Sequence, residues 1–102
     1  MLAGPSSTKP SLETIRRIKK TLHDVLDLPN DAMITVTQLA CLEEDCAPLE
    51  TVIGLLQPGR PQRQYKIHKA TNAVTTDDLQ NLCESWGQAV QKNVIDTRFK
   101  EN

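Results

Sequence analysis

Residues 33–68, MITVTQLACLEEDCAPLETVIGLLQPGRPQRQYKIH, decide the fold. From Met33 to Leu39 the β-branched Ile34, Thr35, Val36 and Thr37 stand in succession, a strand composition because branching at Cβ suits a pleated backbone. In the run 51–56, Val52, Ile53, Leu55 and Leu56 put apolar groups on both parities. Such a run marks a central strand, either covered on both faces or covered on one and used as an interface on the other. Pro58 followed by Gly59 suits a type II turn, Pro presetting φ and Gly supplying the positive φ that comes next. Residues 63–68 alternate again, with Tyr65 and Ile67 on one face and Gln64, Lys66 and His68 on the other. Short connections between the three runs make an antiparallel meander.

Each side of this meander carries a helix signal. Leu12, Ile15, Ile18, Leu22, Val25 and Leu26 trace one stripe at helical period, with Ser11 as N-cap, Glu13 in the first turn and Pro29 as the stop. The opposite face carries Arg16, Arg17, Lys19 and Lys20. Downstream, Thr75 caps, Asp77 and Asp78 complement the first turn, and Val74 with Leu79 forms a staple across the cap. The stripe Leu79, Leu82, Cys83, Trp86, Ala89 and Val90 then runs past Gly87, which weakens a helix by ~1 kcal/mol without necessarily ending it. The expected fold is therefore α+β in two layers, a three-stranded antiparallel meander with two helices on one face, in the order α-β-β-β-α. Residues 1–10, rich in Pro, Ser and Gly, read as a flexible tail. Residues 11–95 form the domain, and the polar run 96–102 reads as a second flexible tail.

At 102 residues there is room for one domain with a modest core, burying ~60–65% of the unfolded chain's surface. Twelve Lys plus Arg against 13 Asp plus Glu give a formal −1, which weighs against a general nucleic-acid or membrane-surface binder. No stretch approaches the ~20 apolar residues of a membrane span, and the opening residues lack a basic-then-apolar leader pattern. A cytoplasmic setting with reduced thiols is the expectation, the three cysteines being an odd number.

Two segments carry candidate chemistry. Cys41 and Cys46 enclose Leu42, Glu43, Glu44 and Asp45, so the pair reads as incidental thiols, as a redox-responsive pair or as part of a metal site. The acidic filling raises a thiol pKa, which works against a nucleophile. Cys83, on an apolar stripe, reads as a small buried hydrophobe. The second segment is basic: Arg60, Arg63, Lys66, His68 and Lys69, with Glu50 as a possible partner for His68, forming either an anion- or partner-binding face or a solvated surface. The helix, three strands, helix order is shared with double-stranded RNA-binding domains, but where those carry lysines at the start of the last helix this chain has Thr75, Thr76, Asp77 and Asp78. There is no glycine-rich phosphate loop, serine elbow or paired-histidine motif, so no catalytic residue and no cofactor is implied.

The stretches ITVTQLACLEEDCAPLETVIGLL (34–56) and YKIHKATNAVTTDDL (65–79) resemble a family of small uncharacterised bacterial proteins, some of which carry an automatic nitrate-reductase label. The resemblance rests on Cys41, Cys46, Pro48, Glu50 and the run Lys66 to Lys69, and departs where members have proline after the second lysine and this chain has Ala70. Nitrate reduction needs a molybdenum cofactor and an electron-transfer chain, for which 102 residues are too few. What the resemblance does imply is that the cysteine loop and the basic strand form one site. The expected function is thus a small non-enzymatic binding or adaptor domain, contacting a partner protein or a second copy of itself through residues 41–50 and 63–69. Metal- or redox-linked action of Cys41 and Cys46, and phosphate or nucleic-acid binding by the basic face, are the alternatives.

Overall fold

The computed structural model describes residues 9–40 and 49–101. A first helix, α1 (Leu12–Val25), leads into three strands, β1 (Met33–Ala40), β2 (Leu49–Leu56) and β3 (Arg63–Ile67). A short 3-10 turn at Thr71–Ala73 precedes α2 (Thr76–Ser85) and α3 (Lys92–Glu101). The sheet is antiparallel in the order β1-β2-β3, with Val36 opposite Ile53 and Ile53 opposite Tyr65. Its α+β character and its order of helix, three strands, helix are those the sequence implies. The turn between β2 and β3 follows its chemistry: Arg60 N–H donates to Gln57 O at 3.2 Å and Gly59 sits at φ +74°.

Period-two alternation decides where the core lies. Ile34, Ile53, Leu55 and Ile67 point to one face and are buried, together with Ile18 and Leu22 of α1, Leu79, Leu82 and Cys83 of α2, and Ile95 and Phe99 of α3. All three helices therefore cover the same side of the sheet. Leu12, first on the expected stripe, is instead 77% exposed, beyond the reach of the sheet. The start of α1 is held from outside the helix: Asn72 Oδ1 accepts from Ser11 N–H (2.9 Å), and its amide donates to Lys9 O (3.1 Å). Residues 9 and 10 are thus tied to the domain, while the rest of the expected N-terminal tail lies outside the described residues.

Two expectations at the carboxyl end are corrected. Gly87 does not sit inside a helix but ends one, at φ +86°, and Gln88 N–H donates back to Cys83 O (2.8 Å) while Gly87 N–H donates to Glu84 O (3.0 Å). This paired bonding is a Schellman ending, which needs a left-handed residue after the cap. The chain then turns, and the supposed tail 96–102 is helical through Glu101. Arg17 explains why: its Nε and Nη2 donate to Phe99 O at 3.0 and 2.7 Å, and its guanidinium lies 4.5 Å from the Phe99 ring centre. The base of α3 is fixed to α2 by Thr76 Oγ1 donating to Asp96 (2.8 Å) and by the Lys92–Asp77 ion pair (2.8 Å).

The start of α2 is a full capping box, Thr75 and Asp78 bonding each other's backbone N–H. Burial by itself pushes the Asp78 carboxyl up, but the Thr75 backbone N–H, the Lys69 ammonium and the Thr75 hydroxyl outweigh it and hold the group below its ordinary value. A carboxylate depressed in the folded chain adds stability that is full above the unfolded pKa and lost as pH falls through the folded one. Asp78→Asn is therefore expected to cost about 1 kcal/mol at pH 7 and to flatten the fall in stability below about pH 4. Urea midpoints between pH 2 and 7 check this, and an acid limb as steep as in the unaltered chain would contradict it.

Candidate functional site

The outer face of the sheet is where the sequence-selected residues meet. Glu50 is the second residue of β2, and the register that sets Thr51 opposite Ile67 and Val52 opposite Lys66 puts His68, the residue after β3, beside Glu50. Glu50 Oε1 lies 3.2 Å from His68 Nδ1 and Oε2 lies 3.7 Å from Lys66 Nζ, so one carboxylate holds two basic groups. The Glu50 side chain is 16% exposed against 69% for His68 and 55% for Lys66, an arrangement that presents the bases outward with the carboxylate beneath them.

Around this cluster lies apolar surface that no helix covers. Met33 pairs with Leu56 at one end of the β1–β2 ladder, Leu39 pairs with Glu50 at the other, and Val52 lies between. Met33, Leu39 and Leu56 are 58%, 48% and 38% exposed, and they are three of the five large apolar side chains exposed among the described residues. A shallow groove runs over Thr37, Leu39, Val52 and Lys66. Scattered exposed leucines need no explanation, whereas three large apolar side chains on one uncovered sheet face make that face a candidate contact surface.

The basic residues do not form one patch. Lys69 is drawn to Asp78 (3.0 Å) at the start of α2 and serves its cap. Arg63 shares the parity of Tyr65 and Ile67, so it turns to the helix side, where Nη1 donates to Trp86 O at 2.5 Å, the carbonyl at the end of α2. Arg60 lies on the β2–β3 turn, and with Arg63 it borders a separate cleft of about 490 Å³ between that turn, the α1–β1 connection and the end of α2. Sequence reading missed this cleft and its Asp27, Asp31 and Trp86. The signal for Asp27 was present, since Asp follows the last stripe residue Leu26, stands two positions before Pro29, and is among the few residue types that take the left-handed conformation that ends a helix.

Cys41 and Cys46 lie outside the described residues. Among the described residues, no group of three or more His, Cys, Asp or Glu is placed to hold a metal ion, and no helix is long and apolar enough to cross a membrane. Cys83 is fully buried in the core, and burial followed by the charge of Glu84 pushes its thiol up to about 11, so it behaves as packing rather than as a nucleophile. Fold and site together define a small α+β domain with one helix-covered and one open sheet face. Comparisons with protein-family models, with curated proteins and with solved structures return no match.

Proposed function

We propose that the chain is a small non-enzymatic binding domain that docks a partner protein on the open face of its sheet. One observation carries this reading: the three helices all pack on the opposite side, leaving Met33, Leu39 and Leu56 exposed beside the Glu50, Lys66 and His68 cluster. The occupant that fits is a protein surface with an apolar patch bordered by carboxylates. Apolar groups would cover Met33, Leu39 and Leu56, and acidic groups would meet the outward Lys66 and His68. A nucleic-acid backbone is a poorer match, because Glu50 stands within the cluster and Lys69 is occupied by Asp78.

Quantitative affinity capture from cells of the source organism tests it with three baits. The unaltered chain and a Lys19→Glu/Lys20→Glu control on α1 are expected to retain the same protein, and Leu39→Asp/Lys66→Glu is expected to lose it by at least ~100-fold, the effect of about 3 kcal/mol at an interface centre. Retention by all three, or by none, would remove the reading. Self-association in sedimentation that Leu39→Asp/Lys66→Glu abolishes would make the partner a second copy.

A second reading, metal- or redox-linked action of Cys41 and Cys46, is favoured by the pairing of Ala40 with Leu49, the described residues on either side of the thiol-bearing segment, at the end of the ladder that carries Glu50. Elemental analysis of protein purified without chelator, with thiol counts before and after mild oxidant, decides it; no metal and unreactive thiols remove it.

A further inference from the structure

The cleft on the helix side of the sheet is unused by partner docking on the outer face, and its chemistry is of a different kind. Its floor is apolar, formed by Leu55 and the indole of Trp86, which are 5% and 8% exposed. One wall, the β2–β3 turn and the start of β3, carries the guanidinium groups of Arg60 and Arg63. The other, the α1–β1 connection, carries the carboxylates of Asp27 and Asp31. Opposite charges line one cavity and yet make no ion pair with each other; among the described residues Arg60, Asp27 and Asp31 have no side-chain partner, and Arg63 spends a donor only on Trp86 O. Two charged walls held apart over an apolar floor match a small molecule that carries both charges on an apolar body.

We propose that this cleft binds an α-amino acid with an aromatic or branched apolar side chain. The carboxylate is taken by Arg60 and the free donors of Arg63, whose planar fork suits it. Asp27 and Asp31 take the ammonium, and the side chain lies against Trp86 and Leu55. The volume of about 490 Å³ falls in the range of small-molecule pockets and admits such a ligand with its first waters. Asp27 adds an independent observation. It occupies the left-handed position that ends α1, at φ +52°, with Leu28 N–H bonded to His23 O (3.1 Å) and its own N–H to Asp24 O (3.2 Å). Glycine is the unstrained residue there, so the carboxylate stands at the rim of the cleft at a conformational cost.

Trp86 is the single tryptophan, so its fluorescence reports on the cleft directly. The full chain is titrated with L-phenylalanine, L-leucine, 3-phenylpropionate and phenethylamine, with ¹⁵N amide and indole shifts as a second readout. Saturable changes at Trp86 with phenylalanine or leucine are expected, with each singly charged analogue at least ~10-fold weaker, the effect of losing one charge-assisted contact. Arg60→Gln, at an exposed side chain with no partner among the described residues, is expected to weaken binding by ~10-fold without changing the melting temperature. Asp27→Gly is expected to raise the melting temperature by about 4 °C while weakening binding, a split that a purely structural Asp27 would not produce. No saturable change up to ~10 mM of any probe, far weaker than ordinary metabolite sites, would overturn the proposal. So would 3-phenylpropionate binding as tightly as phenylalanine, since the acidic wall would then do nothing.

Discussion

Phe99→Ala is expected to cost about 3–4 kcal/mol, a large share of the 5–15 kcal/mol that stabilises a domain of this size. The ring is 8% exposed beside the fully buried Ile95, so its removal leaves a cavity between α1 and α3. It also strips the Arg17 guanidinium of the face it lies over, at 4.5 Å, although the backbone carbonyl that Arg17 holds remains. At ~4–8 °C per kcal/mol, the melting temperature should drop by about 15 °C or more. Val94→Ala, on the same helix but 43% exposed, should stay within ~0.5 kcal/mol. Urea denaturation of the two variants checks the pair; equal small effects would mean that α3 is not part of the cooperative domain.

Thr51→Val should have the next largest effect, about 2 kcal/mol, although the change preserves shape. Thr51 and Thr71 are both fully buried. Thr51 Oγ1 donates to Lys69 O at 2.9 Å, and its single proton being used there, it accepts from Thr71 Oγ1, also at 2.9 Å. Thr71 N–H in turn donates to Gln38 Oε1 (2.8 Å), so strands β1 and β2 together hold the turn that follows β3. Valine at position 51 leaves the Thr71 hydroxyl buried without an acceptor and frees the Lys69 carbonyl. In Thr51→Val/Thr71→Val both hydroxyls are gone, and the total should fall short of the sum of the singles by about 1 kcal/mol. Strict additivity would contradict the network. Because the network sets the path of residues 68–71, Thr51→Val should also loosen the His68–Glu50 contact on the open face.

The sheet was legible because its signals are local. β-branched runs, the Pro58-Gly59 turn and the Thr75 to Asp78 box each fix a few residues by their own chemistry, and the structure places them accordingly. The end of α2 was not, because Gly87 inside an apolar spacing reads equally as a weak helical residue or as a stop, and only the return bonds to Cys83 and Glu84 distinguish the two. Helix α3 has only Ile95 and Phe99 as buried anchors, and the side chains that hold it are distant in sequence, Arg17 at 82 residues and Thr76 at 20. The two-sided apolarity of 51–56 admitted two readings; the half-buried Val52 and the exposed Leu56 show that the helices cover one face of this strand and not the other.

Candidate residues divide in the same way. Glu50, Lys66 and His68 come together because they share a parity on β2, on β3 and on the residue that follows it, and that parity is readable from the sequence. Arg63 was grouped with them by charge although its parity is that of Tyr65 and Ile67, which sends it through to the helix side. Lys69 leaves the strand altogether and pairs with Asp78. The cleft that Arg60 and Arg63 border depends on three connections meeting, and no short-range pattern announces it.

The central claim is that the open sheet face contacts a partner protein, and site-specific photo-crosslinking in cells tests it most directly. A photoreactive phenylalanine is placed in turn at Thr37 and Gln64 on the open face and at Lys19 and Glu84 on the helix side, all four being exposed positions. The account predicts one discrete heavier adduct from Thr37 and Gln64, lost when Lys66→Glu is added, and none from Lys19 or Glu84. Adducts from the helix side alone, or none from the open face, would contradict it.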